Sequence, residues 1–177
     1  MTAKDRQLRA RRDVPEACRV ARHRQDLRAT GAEYQARRLA LKRIDAQLSG
    51  QALANGASVT DFAAVQAMVQ QAIDAWGRVD ILVNNAGILR DKSFAKMDVA
   101  DFRTVVEVHL MGAVHCCKAV WPHMVAQQYG RIIMTTSSSG LYGNFGQANY
   151  GAAKLALVGL MQTLALEGQR HGIRVNS

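Results

Sequence analysis

Tyr150 and Lys154 lie four positions apart, and Ser137 precedes Tyr150 by thirteen. On a helix, four positions bring two side chains to one face, within reach of one substrate. A phenol beside an ammonium, with a hydroxyl opposite, can move a proton to or from a carbonyl oxygen. A nearby positive charge favours phenolate and draws a phenol down from about 10 toward neutrality, where acid–base catalysis is efficient. Ser137 follows the apolar run Arg131-Ile-Ile-Met134, which reads as a buried strand. Its hydroxyl suits an oxygen on which charge develops. Ser138 and Ser139 are the alternatives in the same serine run. Without further company the three residues read as a polar loop and a solvated helix face.

That company is Asn84-Asn85-Ala86-Gly87, directly after the strand-like run Val79 to Val83. The small Ala86 and Gly87 allow a ligand to approach the backbone at a strand's C-terminal end, and Asn84 can tie adjacent strands. The NNAG motif together with Ser-x12-Tyr-x3-Lys resembles the short-chain dehydrogenase/reductase family, over roughly residues 50 to 177. NNAGILRDKSFAKM, VHLMGA and GRIIMTTSSSGLYGNFGQANYGAAK are similar, more narrowly, to (3R)-hydroxyacyl-CoA dehydrogenase units. Those units belong to peroxisomal type 2 multifunctional enzymes and to single-domain bacterial relatives.

The resemblance implies a Rossmann-like, doubly wound parallel α/β sheet in which Ser137, Tyr150, Lys154 and His109 are catalytic. Asn84, Ala86, Gly87, Tyr150 and Lys154 would hold NAD or NADP, and no metal is implied. The expected reaction is hydride transfer between nicotinamide and a secondary alcohol or ketone, with a 3-hydroxyacyl-CoA as substrate. His109, in VHLMG, stands where most of the family carries Asn in support of a proton-relay water. An imidazole can serve the same purpose, and a buried histidine satisfied by backbone is the other reading. Relatives associate through helices corresponding to residues 100–127 and 150–170, so a homo-oligomer is expected.

Two departures stand against these expectations. A nicotinamide-binding sheet should open with a glycine-rich turn whose N–H groups and helix dipole hold the pyrophosphate. The family's TGxxxGxG is missing, and residues 1 to 50 contain only Gly31 and Gly50. Gly140, Gly143 and Gly146 follow the Ser137 strand and are read as a substrate-side loop. Ala57 stands where relatives carry an acid that meets the adenine. The fold is therefore expected to be incomplete, lacking its first strand and glycine turn and truncated at the C-terminal side. A catalytically impaired fragment is the alternative to an active dehydrogenase.

Alternating strand and helix signals follow Gly50, as in a parallel sheet. Asp61 to Trp76 carries a helical apolar stripe closed by Gly77. Val79 to Val83 reads as a strand buried on both faces. Ala100 to Gln127 reads as one long helix with a kink available at Pro122, Arg131 to Thr136 as a strand, and Tyr150 to His171 as a strongly apolar helix. Ile173 to Asn176 begins another strand.

Residues 1–49 differ from residues 50–177, and the two are read as separate segments. The first fifty residues hold 13 of the 23 Lys and Arg and 6 of the 14 acids, but only two of the 14 glycines. They contain no strand-like run. Residues 33 to 49 could form a helix, and residues 1 to 26 lack periodicity. One aromatic and interspersed acids make a nucleic-acid arm the poorer account of that charge. No run of eighteen apolar residues marks a membrane span. Three cysteines without metal-ligand spacing suit a reducing compartment, cytoplasmic by default.

Overall fold

The computed structural model describes residues 52–177, so the expectations for residues 1–49 lie outside the described residues. Helix α1, Phe62–Trp76, starts where the Asp61 carboxylate accepts from the Ala64 N–H at 3.1 Å. It ends at Gly77, whose φ of 75° lets its N–H return to the Ile73 carbonyl. Strands β1 (Ile81–Asn84), β2 (Gly130–Met134) and β3 (Ile173–Asn176) form a parallel sheet in the order β1-β2-β3. Ile81 pairs with Arg131, and Gly130 with Ile173. Helices α2 (Val99–Val106), α3 (Gly112–Gln127), α4 (Ser138–Tyr142) and α5 (Ala148–Gly168) make the crossovers. A 3-10 turn, Gln169–His171, leads from α5 into β3.

The expected single helix over 100–127 is two helices joined by a π-helical turn, Glu107–Met111. Pro122 lies inside α3, which continues through it, so the irregularity sits one element earlier than expected. The π turn places Val108 and His109 in the interior together. Gly112, just after it, meets α1's lead-in so closely that a Cβ would lie 2.7 Å from Val59 Cγ2.

The expectation of a strand buried on both faces also needs correction. Leu82, Ile132, Met134, Ile173 and Val175 are buried, whereas Val83 and Ile133 are exposed. Among the described residues, the core lies on one face of the sheet, under α3 and α5. The core is continuous: Val65 and Val69 of α1, Val105, Val108, Val120, Met124 and Leu157 join the strand residues in one cluster. Gln127 fastens α3 to the lead-in of β1, accepting from Val79 N–H at 3.1 Å and donating to Val79 O at 2.9 Å.

Candidate active site

At the C-terminal ends of β1 and β2 the chain turns away from the sheet, which is where open parallel sheets bind ligands. Thr135, just past β2, donates its N–H to Asn84 O at 3.0 Å and its hydroxyl to Asn85 Oδ1 at 3.2 Å. The side-chain tie between strands is thus made by Asn85. The Asn84 amide instead lies 3.4 Å from both Cys117 Sγ and Met134 Sδ, two weak acceptors.

Lys154 projects from α5 into the same region and is only 4% exposed. Its ammonium donates to Thr135 O at 2.5 Å and lies 5.5 Å from the Tyr150 ring centroid. Burial pushes the Lys154 pKa down to about 8, because an ammonium away from water loses hydration that one carbonyl does not fully replace. Among the described residues Thr135 O is the acceptor this ammonium meets, and an ammonium has three N–H groups to donate.

Tyr150 is half-buried on the first turn of α5, one helical turn before Lys154. The His109 ring meets it edge-on, with centroids 5.1 Å apart and planes at 89°. His109 Nε2 lies 2.8 Å from Ile88 O and 3.1 Å from Ile88 N. Burial, and secondarily the Lys154 charge, lowers the His109 pKa against the opposing pull of the Ile88 hydrogen bond. The imidazole is therefore neutral near pH 7. With Nε2 engaged by Ile88, Nδ1 is the one buried side-chain N or O without a hydrogen-bond partner among the described residues. Gly87 makes room for this ring: a Cβ there would lie 2.3 Å from His109 Cε1.

Ser137 caps α4, its Oγ accepting from Ser139 N–H at 3.2 Å. A hydroxyl that accepts there still has its own proton to donate. The serine run is thus partly helical, and its first member is the cap. Two glycines bring α4 against α5. A Cβ on Gly151 would lie 2.9 Å from Ser139 O, and one on Gly140 would lie 2.9 Å from Leu155 N. Gly143 and Gly146 take positive φ of 78° and 79° in the connection to α5.

Thr135 and Asn149 are site residues that the sequence did not single out. Asn149 is fully buried and donates from Nδ2 to Arg90 O at 3.0 Å. Its Oδ1 accepts from Tyr150 N–H at 2.7 Å. The only sequence signal was an amide residue directly before Tyr150, at a predicted helix start.

A sequence model of the short chain dehydrogenase family matches residues 17–177. The chain belongs to this family. The match begins well before the stretch, roughly residue 50 onward, on which the motifs alone rested. Over 128 residues, 72% of this chain, it is 55% identical to the peroxisomal hydratase-dehydrogenase-epimerase of Saccharomyces cerevisiae. Over 128 residues it is 50% identical to a short-chain type dehydrogenase/reductase of Mycobacterium tuberculosis. These alignments span 14% of the yeast protein and 45% of the mycobacterial one. A crystal structure of NAD+-bound xylitol dehydrogenase superposes with a TM-score of 0.74 at 34% identity, covering 78% of this chain and 55% of that one.

Proposed function

We propose that this chain interconverts a secondary alcohol and a ketone with a nicotinamide dinucleotide, and that its substrate is a 3-hydroxyacyl thioester. The observation that carries this reading is the buried Lys154 ammonium, fixed by Thr135 O near the Tyr150 ring, with the His109 ring perpendicular to that of Tyr150. A buried ammonium with no carboxylate partner among the described residues is costly to keep, and here it sits where it can serve a phenol and a ligand's hydroxyls. Asn84, Ala86 and Gly87 form the wall at the end of β1. This donor set fits the ribose and nicotinamide end of NAD or NADP, which when bound supplies the hydride acceptor or donor.

In the oxidising direction Tyr150, as phenolate, takes the hydroxyl proton from the substrate as the carbon is oxidised. Lys154, 5.5 Å from the Tyr150 ring centroid, offers its remaining N–H groups to the cofactor's ribose hydroxyls. Ser137 donates a hydrogen bond to the same substrate oxygen and fixes its position. His109, with Nδ1 uncommitted, supports proton movement through an ordered water at that nitrogen. The thioester substrate is supported by a relative from Synechocystis, 41% identical over 128 residues, which is named a 3-oxoacyl-[acyl-carrier-protein] reductase. Exposed Leu155 and Leu166 on α5 support self-association through α2, α3 and α5. Two buried free thiols suit a reducing compartment, cytoplasmic by default.

The test is NAD(H)- and NADP(H)-linked turnover of 3-hydroxyacyl-CoA by the purified 177-residue chain, compared with Tyr150→Phe. Turnover abolished by that substitution supports the reading, and turnover that survives it removes Tyr150 from the chemistry. A second reading, a folded but impaired dehydrogenase, is favoured by the lack of TGxxxGxG and by Ala57 in the adenine region. It is the better account where calorimetry detects no dinucleotide binding.

A further inference from the structure

Helix α5 begins without the usual cap. Its N-cap residue Gln147 makes no side-chain capping bond; its amide instead donates to Asp91 Oδ2 at 2.8 Å and accepts from Asn144 at 2.9 Å. The orphan N–H of Tyr150 is satisfied from within the helix, by Asn149 Oδ1. The other end of the same carboxamide reaches the loop after β1, at Arg90 O. That loop also carries Ile88, whose backbone holds His109. A second strap joins the same loop to the connection before α5, Lys92 N–H donating to Gly146 O at 3.0 Å.

We infer that Asn149 is a positioning residue, whose carboxamide sets Tyr150 relative to the Gly87–His109 wall. The inference rests on the proposed acid–base role of Tyr150 and names what aims that phenol. Asn149 uses both ends of a fully buried side chain, a donor toward the β1 loop and an acceptor toward Tyr150. An isosteric carboxylate keeps the acceptor, and the helix N-terminus welcomes its charge. It loses the donor, leaving two oxygens facing each other out of water, a costly arrangement. A protonated carboxyl can donate again. Asn149→Asp should therefore disconnect the strap at high pH and restore it at low pH, because burial raises a carboxyl's pKa. The charged and titratable groups on the surrounding elements are Tyr150 and Lys154 of α5, His109 of the π turn, and Arg90, Asp91 and Lys92 of the loop. Asp98 and Asp101 at the start of α2 pair with Lys92, and Asp101 also with Arg90.

The experiment uses the full chain labelled with 13Cζ-tyrosine, the Tyr150 resonance being identified by its loss in Tyr150→Phe. In Asn149→Asp, the Tyr150 signal should be displaced at about pH 8 and return to its wild-type position near pH 5, within the raised carboxyl range. Tyr129 and Tyr142 should follow wild type throughout. The ratio of variant to wild-type kcat should fall about tenfold at the higher pH and recover at the lower, with KM little changed. Asn149→Ser, which can still accept from Tyr150 N–H but cannot span to Arg90 O, should show the displacement at every pH; it also decides the matter where the first variant does not fold. An unmoved Tyr150 signal in either folded variant, or a displacement in Asn149→Asp that ignores pH, overturns the inference. Turnover retained in Tyr150→Phe counts against the acid–base role alone, since the resonance reports on Asn149 independently.

Discussion

Lys154 is a residue whose burial opposes stability. Its pKa of about 8, against an ordinary 10.5, means that the unfolded chain binds more protons than the native one between those values. Stability from this group must therefore rise as pH increases from about 8 to 10.5, and the burial penalty is fully present below pH 8. The shift corresponds to a penalty on the order of 3 kcal/mol. Lys154→Met should leave urea stability at pH 7 equal to or above that of wild type, while abolishing dinucleotide binding and turnover. It should also flatten the alkaline gain, measured as the difference between the two proteins' unfolding free energies at pH 7 and 9.5. A variant much less stable than wild type at pH 7 would mean that the ammonium is a net support. Gly87 poses the converse case. Gly87→Ala drives a Cβ to 2.3 Å from His109 Cε1 and should cost about 1–3 kcal/mol. In the double variant with His109→Ala, the combined loss should be clearly less than the sum of the single losses; strict additivity would place the clash elsewhere.

The elements were legible where one local rule sufficed. Asp61 and Gly77 bracketed α1 because a carboxylate cap and a left-handed glycine are sequence signals. The parallel strands followed from short β-branched runs spaced by helices, and Tyr150 with Lys154 followed from helical spacing. The π turn did not, because its stimulus is tertiary: Val108 and His109 turn inward together where Gly112 closes on Val59. The exposure of Val83 was equally hidden, since an apolar run does not say which faces will be covered. Asn149 escaped notice because its partner, Arg90 O, is 59 residues away. Adjacent Cys116 and Cys117 are buried packing residues of α3, which meets β1, β2 and α1 over a broad face. Burial lifts these thiols to about 11 and about 12. In a Cys18→Ser background neither should react with a disulfide reagent at pH 8 until the chain unfolds. Rapid native labelling of either would show that α3 opens locally.

At the scale of the molecule, the described core is one cluster drawn from α1, α2, the π turn, α3, all three strands and α5. No described helix is long and apolar enough to cross a membrane. Its members are interleaved across elements: Met124 of α3 fills the space that a side chain on Gly130 of β2 would occupy, a Cβ there lying 2.5 Å from Met124 Sδ. Gln127, one turn on, holds the same helix end to Val79. Elements that share one close-packed interior should be lost together. Helical circular dichroism and the fluorescence of Trp76, which ends α1, and Trp121, within α3, should then report one urea midpoint. Met124→Ala removes a side chain with no solvent exposure and should lower stability by about 2–5 kcal/mol. Both signals should move by the same amount, and dinucleotide affinity measured below the new midpoint should change little, since Met124 lies at the opposite end of β2 from Thr135. A fluorescence transition that separates from the circular dichroism in this variant would divide the cluster into two units, with α1 the element to suspect because its described packing is chiefly on α3.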